Sequence, residues 1–204
     1  MHQMIAMHSV ATKIMKRVRG KGRGSVWTPA DFLDLGSRAS VDQALSRLVR
    51  DGQLQRAARG VYAYPKLSRR LGALTPAPDV VAGALAKARR SRIQVSGARA
   101  ANELGFSTQV PAKAVYLTDG PSRSVTIGRQ EIQLRHASSV RMAGAGTKAG
   151  MIIQALRHMG RDVDLRAVRR VGSQLSVADK QSLRENAYAA PGWARPLVQQ
   201  IAAM

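Results

Sequence analysis

One apolar run in the first quarter of the chain constrains the fold more than any other feature. Val41, Ala44, Leu45, Leu48 and Val49 recur at i, i+3, i+4, i+7 and i+8. That spacing places them on one stripe of an α-helix and obliges the stripe to face a core. The pattern predicts a helix capped by Ser40 and stopped by Gly52 in a left-handed conformation. Its opposite face carries Asp42, Gln43, Ser46, Arg47 and Arg50. Gln53 to Arg56, a tip of Ala57-Ala58-Arg59-Gly60, and the apolar Val61 to Tyr64 closed by Pro65 then read as a two-stranded hairpin.

Upstream, Ser9 caps a first helix through Arg19, with Val10, Ile14, Met15 and Val18 at helical spacing. RGKGRG, Arg19 to Gly24, ends it, either as a plain turn or as an arm that grips phosphate. Ser25 to Trp27 reads as a short strand, and Thr28-Pro29 starts a short helix through Phe32 to Leu35. Helix, strand, helix, helix, hairpin is the order of a winged helix-turn-helix. In that arrangement the third helix enters the major groove of DNA and the hairpin lies along the backbone or in the adjoining minor groove. The residue types fit. Arg47 can take the two acceptors of guanine, Gln43 those of adenine, and Arg38 or Ser40 a phosphate, with Ser46 and Arg50 on the same face. Arg56 and Arg59 place positive charge in the wing. The competing reading is the solvated face of a small helical domain. It accounts for the amphipathicity but not for a basic hairpin following a Gln/Ser/Arg face.

Charge adds to the first reading. The chain has 33 Lys and Arg against 12 Asp and Glu, a formal net charge of +21. Such an imbalance calls for a polyanionic partner: nucleic acid, an acidic membrane surface or an acidic protein. Fourteen of the basic and four of the acidic residues precede Pro76, so the excess is spread over both halves. Cysteine is absent. This excludes disulfides and thiolate metal sites and suits a reducing compartment, so the expected location is the cytoplasm. No apolar run approaches the roughly 18 residues of a membrane span, and no membrane partner is expected. The N-terminus has Met and Ile early and its charges late, the reverse of a secretory signal. His2 and His8 with interleaved Met suggest either copper or a ragged, mobile start, and the second is preferred.

Lys66 to Pro78 has the composition of a linker. The expected organisation is therefore a DNA-binding domain over 1–66, a linker over 67–78 and a second domain over 79–204. The second domain reads as helix (Asp79 to Arg90), strand (Ile93 to Ser96) and helix (Ala98 to Leu104). Strands at Ala114 to Thr118, Ser124 to Ile127 and Ile132 to Arg135 follow, turned at Asp119-Gly120 and Gly128-Arg129. Helices at Thr147 to His158, Leu165 to Val171, Val177 to Ala187 and Pro196 to Ile201 finish the chain. The fold class is α+β, with a small antiparallel sheet and a helical tail in the second domain. Chemistry is hard to find there. Gly144-Ala-Gly-Thr-Lys148 lacks the order of a phosphate loop. His136 and His158 have no ligand-spaced neighbour, no GxSxG elbow occurs, and Asp162 and Asp164 suit a helix cap. No enzyme activity, cofactor or metal is expected.

With RGVYAYP after the third helix, and QVSGARAANELGFSTQVP and AVYLTDGPSRSVTIGRQEIQLRHAS in the second domain, the chain resembles the AbiEi-type antitoxin family of type IV toxin-antitoxin systems. The resemblance runs from about Ser9 to the tail. Val95-Ser96-Gly97, Leu104 to Thr108 and Tyr116-Leu117-Thr118 with Gly120 are its narrower signals. It implies a winged-helix domain that represses its own operon by binding promoter repeats in double-stranded DNA. It also implies a C-terminal domain needed to neutralise a nucleotidyltransferase toxin. Dimerisation on DNA is an open option. The alternative function is a general nucleic-acid-binding protein whose two basic domains clamp DNA or RNA without sequence choice.

Overall fold

Ser9 opens the first helix, α1 (Val10–Lys21), by accepting a hydrogen bond from the Thr12 amide, and Gly22 at φ 91° ends it. The chain is seen in a computed structural model that describes residues 9–70 and 72–204. The ragged start expected around His2 and His8 lies outside the described residues. Helix α2 (Arg38–Arg50) buries Val41, Ala44, Leu45 and Leu48 in one core with Ile14, Met15, Val18, Trp27 and Phe32. Its start corrects the expected cap. Ser37 is the N-cap, its hydroxyl accepting from the Ser40 amide at 3.3 Å, while the Ser40 hydroxyl donates back to the Ser37 carbonyl at 2.8 Å. The turn Arg38-Ala39-Ser40 holds no core residue, so hydrophobic periodicity gives no sign of it.

Between these helices lie β1 (Val26–Trp27) and a single 3-10 turn at Pro29–Phe32, in place of the expected helix to Leu35. The turn is held by Asp31, whose Oδ2 accepts from the Thr28 amide at 2.8 Å and the Thr28 hydroxyl at 2.9 Å. Phe32 stacks on Trp27 at 5.2 Å, but Leu33 is exposed, so no apolar stripe extends the turn into a helix. Strands β2 (Gln55–Ala58) and β3 (Val61–Ala63) form the hairpin, and β1 pairs on the far side of β3. Ala57 and Ala58 belong to the strand, not the tip. The register shifts between Arg56 and Ala58, a bulge that leaves Arg59-Gly60 as a two-residue turn with Gly60 at φ 72°.

The expected linker contains structure. β4 (Lys66–Ser68) pairs antiparallel with β5 (Gly72–Leu74), and α3 (Pro78–Lys87) follows. The chain forms two units, one reaching Arg89 and including Val125–Glu131, the other made of Arg90–Ser124 and Ile132–Met204. α3 therefore groups with the first unit. Lys87 at its end donates to Asp31 Oδ1 at 2.7 Å, on a carboxylate only 7% exposed.

The remaining sheet has the order β6-β7-β9-β8, from β6 (Ile93–Val95), β7 (Ala114–Thr118), β8 (Arg123–Ile127) and β9 (Gln130–His136). β6 and β7 are antiparallel, but β7 and β9 are parallel, so this sheet is mixed. Asp119-Gly120 is not a hairpin turn joining neighbours. The Asp119 carboxylate accepts from the Arg92 amide at 2.7 Å and from Arg92 Nε at 2.8 Å, which ties the end of β7 to β6. Helices α4 (Gly97–Glu103), α5 (Lys148–Met159), α6 (Leu165–Ser173), α7 (Val177–Glu185) and α8 (Arg195–Ala203) share a core that includes Ile152, Leu156, Val168, Leu183 and Ile201. Thr147 caps α5, and Lys148 pairs with Asp179 at 3.1 Å. Asp164 caps α6 through the Arg166 amide.

Two outcomes follow from this packing. A Cβ on Gly150 would strike the Gly144 carbonyl and come within 2.7 Å of Gln94 Oε1. Gly150→Ala is therefore expected to lower stability by about 1–3 kcal/mol in urea unfolding, and an unchanged midpoint would contradict the packing. In the first unit Arg17 grips both Asp34 oxygens, at 2.8 and 2.6 Å, and holds that carboxyl below its usual range. A depressed folded-state value means that the stabilisation is present above about pH 4 and is lost as pH falls through the lowered value. The melting-temperature difference between wild type and Asp34→Asn should be small at pH 7 and shrink progressively as pH falls below about 4. A difference that stays the same as pH falls would refute this.

Candidate nucleic-acid interface

Because Val41, Ala44, Leu45 and Leu48 fix the rotation of α2, its other face has no choice of direction. Gln43, Ser46, Arg47 and Arg50 are exposed and, with Asp42, line one shallow surface groove. Among the described residues, none of the four exposed side chains has a hydrogen-bond or ion-pair partner. Their donors and acceptors are turned to solvent along about two turns of helix.

The other expected site residues fall elsewhere. Arg38 is in the first turn of α2 and pairs with Asp42, Nε to Oδ2 at 2.8 Å, so part of its charge is already compensated. The Ser40 hydroxyl is committed to Ser37. Arg56 is exposed on β2, and Arg59 is exposed at the hairpin turn. The eight residues thus separate into four on one helix face, two engaged in the first turn of that helix, and two on the hairpin.

RGKGRG behaves as a turn fastened to the sheet. The Gly24 amide donates to the Tyr64 carbonyl at 2.7 Å, and Arg23 lies 4.9 Å over the Tyr64 ring while donating to the Pro65 carbonyl at 2.9 Å. Arg19 and Lys21 remain exposed at the end of α1. Reading Lys66 to Pro78 as linker hides Lys66, Arg69 and Arg70, which are exposed on the β4–β5 hairpin. The signal available was the apolar content of Gly72-Ala-Leu across from Lys66-Leu-Ser, masked by a run of charge.

Several second-domain arginines are engaged internally. Arg92 pairs with Asp119, Arg99 with Glu103 and the Tyr116 hydroxyl, and Arg170 donates to the Gly105 carbonyl. Arg166 and Arg169 are exposed on α6. Among the described residues no group of three or more His, Asp and Glu could hold a metal ion, and no helix is long and apolar enough to cross a membrane.

An exposed, uncommitted face contributes little to folding. Gln43→Ala and Arg47→Ala are expected to change unfolding free energy by less than about 0.5 kcal/mol, whereas Leu45→Ala should cost about 2–5 kcal/mol. Urea unfolding of the three variants checks this. A large loss in either polar variant would mean that the face is structural.

No curated protein and no solved structure matches the chain. A family of unknown function, DUF6088, matches residues 13–183. The match begins within α1, takes in the α2 face and both hairpins of the first unit, and ends in α7, so the chain belongs to DUF6088.

Proposed function

We propose that this protein is a DNA-binding transcriptional repressor, not an enzyme, and that its first unit works as a winged helix-turn-helix. The observation that carries the reading is the α2 face. Gln43, Ser46, Arg47 and Arg50 lie together, exposed and without internal partners, on a helix whose reverse side is locked in a core. A merely solvated helix gains from opposite charges at i, i+4; α2 has one such pair, Arg38–Asp42, and it leaves Gln43, Ser46, Arg47 and Arg50 outside it. Arginine and glutamine are the side chains that match guanine and adenine edges with paired hydrogen bonds. A two-residue turn bearing Arg59 is suited to a phosphate contact, since it places one charge on a short rigid hairpin.

The net charge of +21 supplies the sequence-independent attraction that such a protein needs. The likeness to AbiEi-type antitoxins supports autoregulation of the protein's own operon through promoter repeats. It also supports a role for the second unit in counteracting a nucleotidyltransferase toxin. Exposed Arg166 and Arg169 favour a second reading, in which both units hold nucleic acid without sequence choice.

Anisotropy titrations on the protein's own promoter and on scrambled duplex separate the two. Gln43→Ala and Arg47→Ala should each reduce discrimination by about 1–3 kcal/mol, while Arg59→Ala should weaken both duplexes alike. An unchanged specificity ratio in the first two variants would overturn the groove assignment. Log affinity should fall against log salt by about 0.9 for each phosphate engaged, and a flat salt response would exclude DNA as the partner of this charge.

A further inference from the structure

The second unit contains a half-open pocket of about 340 Å³ where α4 and α5 meet the sheet. Arg135 and His136 reach it from the end of β9, Arg141 from the turn that follows, His158 from α5 and Ser96 from the residue before α4. Val115 and Leu117 of β7 give it an apolar side. No carboxylate lines it. His136 and His158, 22 positions apart and unremarkable in the sequence, are brought to one place by the fold.

The groups in the wall are oriented but not neutralised. Arg135 is steadied by Gln133 Oε1, at 3.2 Å from Nε and 2.8 Å from Nη2, a partner with no charge. His136 Nδ1 lies 3.0 Å from the Gly120 carbonyl. A carbonyl can only accept, so Nδ1 carries the proton and Nε2 is left for another group. The Ser96 side chain occupies an N-cap position without making the capping bond. Among the described residues the side chains of Arg141 and His158 have no hydrogen-bond or ion-pair partner, although the Arg141 carbonyl accepts from Gln154 Nε2 at 2.7 Å. In the same unit Asp119 is paired with Arg92 and Glu103, at the end of α4, with Arg99.

Behind the wall the positive field is reinforced. Arg157 is held below its usual pKa, by burial first and by the charge of Arg141 second, and its Nε is buried without a hydrogen-bond partner. The geometry itself depends on a glycine. A Cβ on Gly97 would come within 2.7 Å of both the Gln154 carbonyl and His158 Cβ, so only glycine lets the start of α4 lie against α5 and sets Ser96 beside His158. Like charges gathered around a concavity with no acid repel one another, and an anion placed among them relieves that repulsion.

We propose that this cavity is a binding site for a small phosphomonoester, of the mononucleotide class. The Arg135 and Arg141 guanidiniums and the two imidazoles take the phosphate, the Ser96 hydroxyl donates to it, and Val115 and Leu117 cover the less polar remainder. Guanidinium forks match phosphate oxygens in pairs, and the volume lies in the range of small-ligand sites. The site is independent of the α2 face, so it stands or falls separately from the DNA-binding reading.

The test is isothermal titration of the full chain at physiological salt with adenosine 5′-monophosphate, adenosine, inorganic phosphate and a short oligonucleotide without terminal phosphate. Saturable one-to-one binding of the monophosphate is expected, with inorganic phosphate competing and adenosine silent. Arg141→Gln and His158→Gln, both exposed and expected to fold normally, should each weaken that binding, the first at least tenfold. Arg169→Ala, outside the cavity, should not. Absence of saturable monophosphate binding would overturn the proposal. So would equal weakening by Arg169→Ala, or binding of the oligonucleotide in preference to the monophosphate, which would make the cavity part of a nucleic-acid track.

Discussion

Burial of Val41, Ala44, Leu45 and Leu48 is the constraint on which the first unit depends. Four side chains on one stripe leave a helix no rotational freedom, because turning it would expose Val41 and Leu45, which have no exposure at all. The stripe meets Ile14 and Val18 of α1 and Phe32 of the intervening turn. What α2 presents to solvent is therefore decided by what it hides. A face of Gln43, Ser46, Arg47 and Arg50 needs no contribution to stability, and its residue types are open to selection for binding.

A second, polar constraint holds the surroundings of α2 in place. Asp31 is nearly buried, yet its oxygens are occupied by the Thr28 amide, the Thr28 hydroxyl and the Lys87 ammonium. A buried carboxylate without such partners would be costly, so the three bonds act together to fix the 3-10 turn and to join α3 to the same unit. In the second unit, close backbone approach plays the comparable part. Gly150 lets α5 lie against the Gly144 loop, and Gly97 lets α4 lie against α5.

Legibility in the sequence followed the kind of force involved. The long apolar period of α2, the cap at Ser9 and the β2–β3 hairpin are readable because each is a local pattern with a local cause. The true start of α2 was not, since Arg38-Ala39-Ser40 buries nothing and only the Ser37 side chain marks it. The β4–β5 pair reads as linker because its charge masks a short alternation. The parallel pairing of β7 with β9 is non-local, and so is the capture of Asp119 by Arg92, 27 positions away, which ties β7 to β6; no turn rule contains either. Of the candidate site, the four solvent-facing residues of α2 can be read from helical phase alone. The engagement of Arg38 and Ser40, and the gathering of Arg135, His136, Arg141 and His158, required the fold.

The central claim is that DNA lies on the α2 face and the β2–β3 hairpin. Chemical modification of arginines in the full chain, with and without its own promoter duplex and read residue by residue by mass spectrometry, tests it most directly. The account predicts that the duplex protects Arg47, Arg50, Arg56 and Arg59 while Arg166 and Arg169 stay as reactive as in the unbound protein. Protection centred on Arg166 and Arg169, with Arg47 and Arg50 unaffected, would contradict it.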